Sequence, residues 1–193
     1  MMGKGGRKFM EEVHEAGISS GFCVKGFLDI CLSLWSDKKN FNGVFFCSCK
    51  QVVDYLTWAE NMGMQYNILV WHKTNPAPLC NFKYLGDLEY IVQIKGKGRK
   101  IKGEYKTKSL MYSSQVNKKD KKLYNHPTVK PVELLEKFLI NHTDEGEVVL
   151  DPFMGSGSTG EACLNLKRGF IGIELSEIYY KTSRDRLGVN YAQ

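Results

Sequence analysis

Apolar side chains recur along this chain at two spacings, and the alternation between them outlines the fold. Between Gly21 and Trp35, the residues Val24, Phe27, Leu28, Cys31 and Trp35 fall on one face of a helix. The run from Phe41 to Cys49 (FNGVFFCSC) is short, apolar and bounded by turn residues, which predicts a buried strand. Lys50 to Gly63 returns to helical spacing, with Gly63 placed to end the helix. Strands are predicted from Tyr66 to Lys73 and from Leu88 to Lys95, with a turn, TNPAP, after the first. A helix then starts at or near Pro131, a residue suited to the first helical position, and carries Leu134, Leu135, Phe138 and Leu139 on one side. The rest reads as a buried strand (EVVLDPF), a helix (STGEACLNLK), a strand (RGFIGIELS) and a closing helix (EIYYKTSRDRL). Strands alternating with helices predict a single α/β domain over residues 1–193 with a largely parallel sheet.

Composition adds few constraints. The apolar share of 42% and charged share of 25% are those of an ordinary globular protein, and 193 residues suffice for a real core. No apolar run reaches bilayer length, so no membrane partner is expected. The start, MMGKGGRK, leads into FMEEVHEAG and not into an apolar stretch, so it does not read as a signal peptide, and a cytoplasmic protein is expected. The six cysteines include no Cys-x-x-Cys pair, which predicts reduced thiols and no metal site.

The net charge of +6 is uneven. Eleven Lys or Arg lie between Lys95 and Lys122, against Glu104 and Asp120 alone. The segment shows no periodicity and reads as a basic loop over residues 95–125. Lys97, Arg99, Lys100, Lys102, Lys106 and Lys108 are its candidate phosphate contacts; the competing reading is a solvated surface loop.

Chemistry concentrates in VLDPFMGSGSTG, Val149 to Gly160. Gly155, Gly157 and Gly160 have the spacing of a nucleotide-binding turn between a strand and a helix, where the backbone can approach a ligand closely. Asp151 ends the strand before the turn, and Glu174 ends the next, where a carboxylate can accept both hydroxyls of a ribose. A dinucleotide fold opens with such a turn and then adds several strand–helix units. Here only 33 residues follow Gly160. A carboxylate just before the glycines would also oppose a pyrophosphate, whereas the sulfonium and ammonium of S-adenosylmethionine tolerate it. That cofactor is favoured over NAD.

The stretch DPFMGSGSTG, preceded by HPTVKP and followed by FIGIELSEIYY, resembles the DNA amino-methyltransferases of circularly permuted, β-type order. These enzymes of bacteriophages and restriction systems methylate adenine N6 or cytosine N4. VWHKTNPAP resembles a segment of the phage-type adenine enzymes. The resemblance implies a Rossmann-like S-adenosylmethionine-dependent fold acting on double-stranded DNA. It also implies cofactor contacts from Asp151, Pro152, Phe153, Gly155, Ser156 and Gly157, with Glu174 on the ribose and Thr128 and Lys130 beside the cofactor carboxylate. It places target recognition in the basic segment, and a homodimer is one assembly open to the chain.

Family members also carry an Asp/Asn/Ser-Pro-Pro-aromatic tetrapeptide. Its polar side chain and a proline carbonyl accept the amino protons of the flipped base, and its ring stacks on that base. In this order the tetrapeptide precedes every motif above, and Met1 stands about where the family sequence has just passed it. The resemblance thus implies that the catalytic strand lies upstream and that residues 1–193 alone do not methylate DNA. Asn75, in Asn75-Pro76-Ala77-Pro78, is the one substitute candidate, with a structural turn as its competing reading. Adenine-N6 methylation is the leading function. Cytosine-N4 methylation, a relative that only binds cofactor or DNA, and an NAD-dependent oxidoreductase are the alternatives.

Overall fold

The computed structural model describes residues 22–76, 84–116, 118–124, 126 and 128–188. Gly21 and the residues before it, Ala77 and Pro78 of the turn, Cys80 and Pro127 lie outside these. The helices are α1 (Val24–Ser33), α2 (Cys49–Asn61), α3 (Lys118–Leu123), α4 (Val132–His142), α5 (Ser158–Asn165) and α6 (Glu177–Leu187). The strands are β1 (Asn42–Cys47), β2 (Gln65–Lys73), β3 (Leu88–Lys95), β4 (Met111–Ser114), β5 (Val148–Asp151) and β6 (Gly169–Gly172).

Four strands form one sheet in the order β1-β3-β2-β4, and β5 and β6 form a second, parallel pair. The expected largely parallel sheet is corrected here. β3 runs antiparallel to both β1 and β2, and only β2 with β4 is parallel in the larger sheet. The cause is the connection between β2 and β3, which carries no helix among its described residues. Parallel neighbours are joined by a crossover that is usually helical, whereas strands joined without one commonly return side by side in reverse. β1, α2 and β2 still make a strand–helix–strand unit, with β3 between the two strands.

Both faces of the larger sheet are covered, which is why Ile91, Val92, Gln93 and Ile94 are buried in succession. Val92 and Ile94 pack with Val24 and Leu28 of α1 and Tyr55, Trp58 and Ala59 of α2. On the other face Leu69, Trp71, Ile91 and Tyr112 meet Leu134 and Phe138 of α4. The neighbouring stripe of α4, Leu135 and Leu139, packs with Ala162 and Cys163 of α5, against Val149 and Phe170 of the smaller sheet. One helix therefore joins the two sheets.

The helix expected at or near Pro131 begins at Val132, with Pro131 as the N-cap of α4. One further expectation changes. The strands β5 and β6 are shorter than their apolar runs and only half-buried. Val148 is 63% exposed and Ile171 54%, because among the described residues helices cover one face of this pair only.

Candidate functional site

The glycine turn is built at the carboxyl ends of β5 and β6. Past the last residue of β5, Ile173 N–H donates to Asp151 O at 2.9 Å and Met154 N–H to Ile173 O at 3.0 Å. The parallel pairing thus continues into the loop and fixes its position. Gly155 and Gly157 take φ of +50° and +79°, a left-handed backbone that other residues adopt at a cost. A Cβ on Gly155 would lie 2.9 Å from His126 Nε2, and one on Gly157 3.0 Å from Ser183 Cβ. Gly160 lies against Phe170 and Leu187, where a Cβ would come within 2.7 Å and 2.8 Å of their side chains, so it serves close packing of α5.

Two carboxylates meet this turn. Asp151 Oδ1 accepts the Phe153 N–H at 3.0 Å. Burial pushes the Asp151 carboxyl up, opposed by hydrogen bonds from Thr159 and the Phe153 N–H. Glu174 Oε2 accepts the Gly155 N–H at 2.9 Å, and its Oε1 accepts the Ser176 N–H at 2.8 Å. The glycine turn and the acid 19 residues later are thus brought into direct contact.

Around them, Phe153 is 61% exposed and packs its ring on Phe27 at 5.4 Å and Phe22 at 5.8 Å. Ser156 is buried behind the turn, where its carbonyl and hydroxyl face the Arg186 guanidinium. Arg186 is itself paired with Glu161 and lies 4.1 Å from the Tyr124 ring centre. Pro152 is half-buried in the turn. Thr128 donates its N–H to His126 Nδ1 at 3.2 Å, which places it one residue from the glycines. Lys130 points elsewhere, to Glu89 Oε1 at 2.6 Å, while Lys73 holds Glu89 Oε2 at 3.0 Å. Burial would raise the Glu89 carboxyl, but Lys130 and Lys73 together keep it below the ordinary carboxylate range.

His126 is the residue that sequence reasoning missed, although HPTVKP contains it. Its ring meets Tyr179 edge-on at 4.4 Å, and its Nε2 closes over Gly155. Burial drives its pKa down to about 4, with Glu174 pulling the other way. The neutral ring accepts at Nδ1 and carries its proton on Nε2, toward the glycine.

The set fits S-adenosylmethionine better than a pyrophosphate. A ligand at Gly155 meets the two acids Asp151 and Glu174, and Arg186, behind the turn, is buried and paired with Glu161. A cationic, phosphate-free group suits this environment, and a ribose suits the Glu174 carboxylate. No cluster of potential metal ligands occurs among the described residues.

The basic segment is not a uniform loop. It contains a 3-10 turn (Tyr105–Lys108), β4 and α3. Arg99 donates to both oxygens of Glu147 and to His142 O, and Lys102 pairs with Asp144. Both cations are ties between the segment and the loop before β5. Lys97, Lys100, Lys106 and Lys108 are exposed. Asn75 has both ends of its amide on the Val116 backbone, donating to its carbonyl and accepting from its N–H. Its amide braces the chain after β2 to the chain after β4.

Comparison with known proteins agrees with this geometry. The family described as DNA methylase matches residues 26–185. Type II methyltransferase M2.DpnII of Streptococcus pneumoniae is 36% identical over 134 residues, 63% of this chain and 50% of its own length. The DNA adenine methyltransferase YhdJ of Escherichia coli K12 is 45% identical over 65 residues, 34% of this chain and 22% of its own. The chain spans about half the length of M2.DpnII and of other curated relatives that it matches. The structure of M1.HpyAVI in complex with SAM superposes with a TM-score of 0.72 at 32% identity, covering 86% of this chain and 84% of that one. The cytosine-N4-specific PvuII DNA methyltransferase, at 16% identity and a TM-score of 0.69, shares the fold. Members of the family use S-adenosylmethionine. The chain belongs to the adenine-N6/cytosine-N4 DNA methylase family.

Proposed function

We propose that this chain provides the S-adenosylmethionine site of a DNA methyltransferase acting on adenine N6. The observation that carries the reading is the contact between Glu174 and the Gly155 N–H, which joins the ribose-accepting carboxylate to the turn that admits the ligand. Gly155 and Gly157 let the turn close against His126 and Ser183, Asp151 and Glu174 match the ligand's charge and hydroxyls, and Phe153 and His126 border it. The cofactor supplies the methyl group. Adenine is favoured by the resemblance of VWHKTNPAP to the phage-type adenine enzymes and by the similarity to the DNA adenine methyltransferase YhdJ. Cytosine N4 is the second reading, supported by the fold shared with PvuII methyltransferase.

Titration calorimetry with S-adenosylhomocysteine tests the site. Removing a charge-assisted hydrogen bond costs about 1.5–3 kcal/mol, so Glu174→Gln should weaken binding roughly ten- to a hundredfold. NAD should give no heat. Unchanged affinity in Glu174→Gln, or preferential NAD binding, would overturn the assignment. Transfer of labelled methyl to duplex DNA containing adenine or cytosine as the only acceptor tests the base.

A further inference from the structure

We infer that a cleft between the end of β2 and helix α3 holds the phosphodiester backbone of the DNA. The inference rests on the proposed DNA-methylating function and assigns its substrate a second surface, apart from the glycine turn.

Topology divides the basic segment between opposite ends of the molecule. β3 ends at Lys95, antiparallel to β2, and the residues that follow contact the end of α4 and the start of β5. Arg99 reaches His142 and Glu147, and Thr107 reaches Asn141. β4 then runs back parallel to β2 and delivers α3 to the end where β5 enters the glycine turn. Lys118, Lys119, Lys121 and Lys122 are therefore on the cofactor's side, and Lys97 to Lys102 are not.

At that end two adjoining cavities share Lys73, Val116 and Lys121. A small one, about 60 Å³, reaches Thr128 and Lys130, and Thr128 is bonded to the histidine that covers Gly155. A larger one, about 360 Å³, extends along Lys73, Asn75, Gly86, Lys118 and Lys121. Together they form a track leading away from the cofactor turn. Its lining carries four lysines (Lys73, Lys118, Lys121 and Lys130) and one carboxylate, Glu89, a formal excess of three positive charges. Lys73 and Lys130 already share Glu89, which attracts Lys121 only from beyond ion-pair distance. Burial first, and then repulsion from Lys73 and Lys130, lower the Lys121 pKa against the attraction of Glu89. Asn75 holds Val116 through both ends of its amide, and the excess of lysines suits a polyanion recognised by its phosphates and not by its sequence.

The test is duplex oligonucleotide binding measured across a salt series. Each phosphate contact contributes about 0.9 to the log–log slope, so Lys118→Gln/Lys121→Gln should flatten it by about 1.8. Lys97→Gln/Lys100→Gln, of equal charge change at the opposite end, should leave the slope at its wild-type value. Affinity for S-adenosylhomocysteine and thermal stability should match wild type in both variants. A wild-type slope in Lys118→Gln/Lys121→Gln overturns this inference alone, as does an equal loss in both variants. Tight binding of AMP that disappears in Lys118→Gln/Lys121→Gln, with duplex binding intact, would assign the cleft to a free nucleotide and likewise overturn it. Absence of duplex binding by the unmodified chain would instead remove the DNA-methylating reading on which it stands.

Discussion

Gly155 and Gly63 hold the same left-handed backbone for different ends. Gly63 follows α2, where its N–H bonds Glu60 O and the next N–H, of Met64, bonds Ala59 O, the paired bonds that close a helix. A Cβ there would meet nothing within 4 Å. Gly155 has a φ of +50° and a histidine nitrogen 2.9 Å from where its Cβ would stand. Gly63→Ala should therefore cost only the backbone strain, about 1–2 kcal/mol, and leave cofactor binding alone. Gly155→Ala should cost at least as much in urea unfolding and weaken S-adenosylhomocysteine by more than tenfold, since the clash displaces His126 or the turn. Adding His126→Ala should relieve the clash but not the strain, so the double variant should recover part of the stability. Equal cofactor affinity in Gly63→Ala and Gly155→Ala would refute the close-approach role. The glycines were legible from spacing alone, because few residues tolerate such a backbone. His126 was not, because a histidine in a loop carries no periodic signal and reaches Gly155 only through the fold.

At the scale of elements, periodicity identified every strand and helix whose apolar side chains are buried on a regular face. β4 and α3 escaped it for a physical reason. MYSS buries only Tyr112, and KKDKKL buries nothing, so neither carries a pattern to read. Strand direction in the larger sheet was equally invisible, since pairing depends on how β3 returns and not on its residues. Charge is the third such case. Arg99 looks like any other cation of the segment, yet it ties β3 to β5 through Glu147 and caps the end of α4 at His142 O. Its side chain is only 18% exposed. Arg99→Ala should destabilise the chain by about 1–2 kcal/mol, water recovering part of the loss at the more open Glu147. Pairing the change with Glu147→Gln should restore some of that, as a double-mutant cycle in urea would register. A stability unchanged by Arg99→Ala would return this arginine to the pool of solvent-facing cations.

Across the whole molecule, α4 is the joint, with one stripe on each sheet, and its carboxyl end buries an imidazole beside cations. His142 is 7% exposed, and its backbone carbonyl takes bonds from Asn42 Nδ2 and the Arg99 guanidinium. Because the Asn42 amide nitrogen is committed to that carbonyl, Asn42 Oδ1 is an acceptor, and the His142 Nδ1–H donates to it at 3.1 Å. Burial, with Arg99 and Lys95 nearby, drives the His142 pKa down to about 4. His126, at the other end, is likewise driven to about 4. In the unfolded chain both titrate near 6.5, so between about pH 6.5 and 4 the unfolded state binds more protons than the folded one. Their contribution is complete above pH 6.5 and is lost as pH falls, at no more than about 1.4 kcal/mol per pH unit for each histidine. Asp151 works in the opposite sense, since its raised pKa returns stability once pH falls far enough to protonate it. Glu89 and Glu147, held low by their cations, lose theirs only below the ordinary carboxylate range. Of these groups, the two histidines are the ones whose unfolded-state titration begins near pH 6.5, so the fall from pH 6.5 to 5 is theirs, with Asp151 opposing it wherever it takes up its proton. Urea midpoints should be level from pH 8 to 7 and fall from pH 6.5 to 5, with a shallower fall in His142→Gln. Identical pH profiles in His142→Gln and the unmodified chain would show that this imidazole is reached by water and does not couple the end of α4 to protonation.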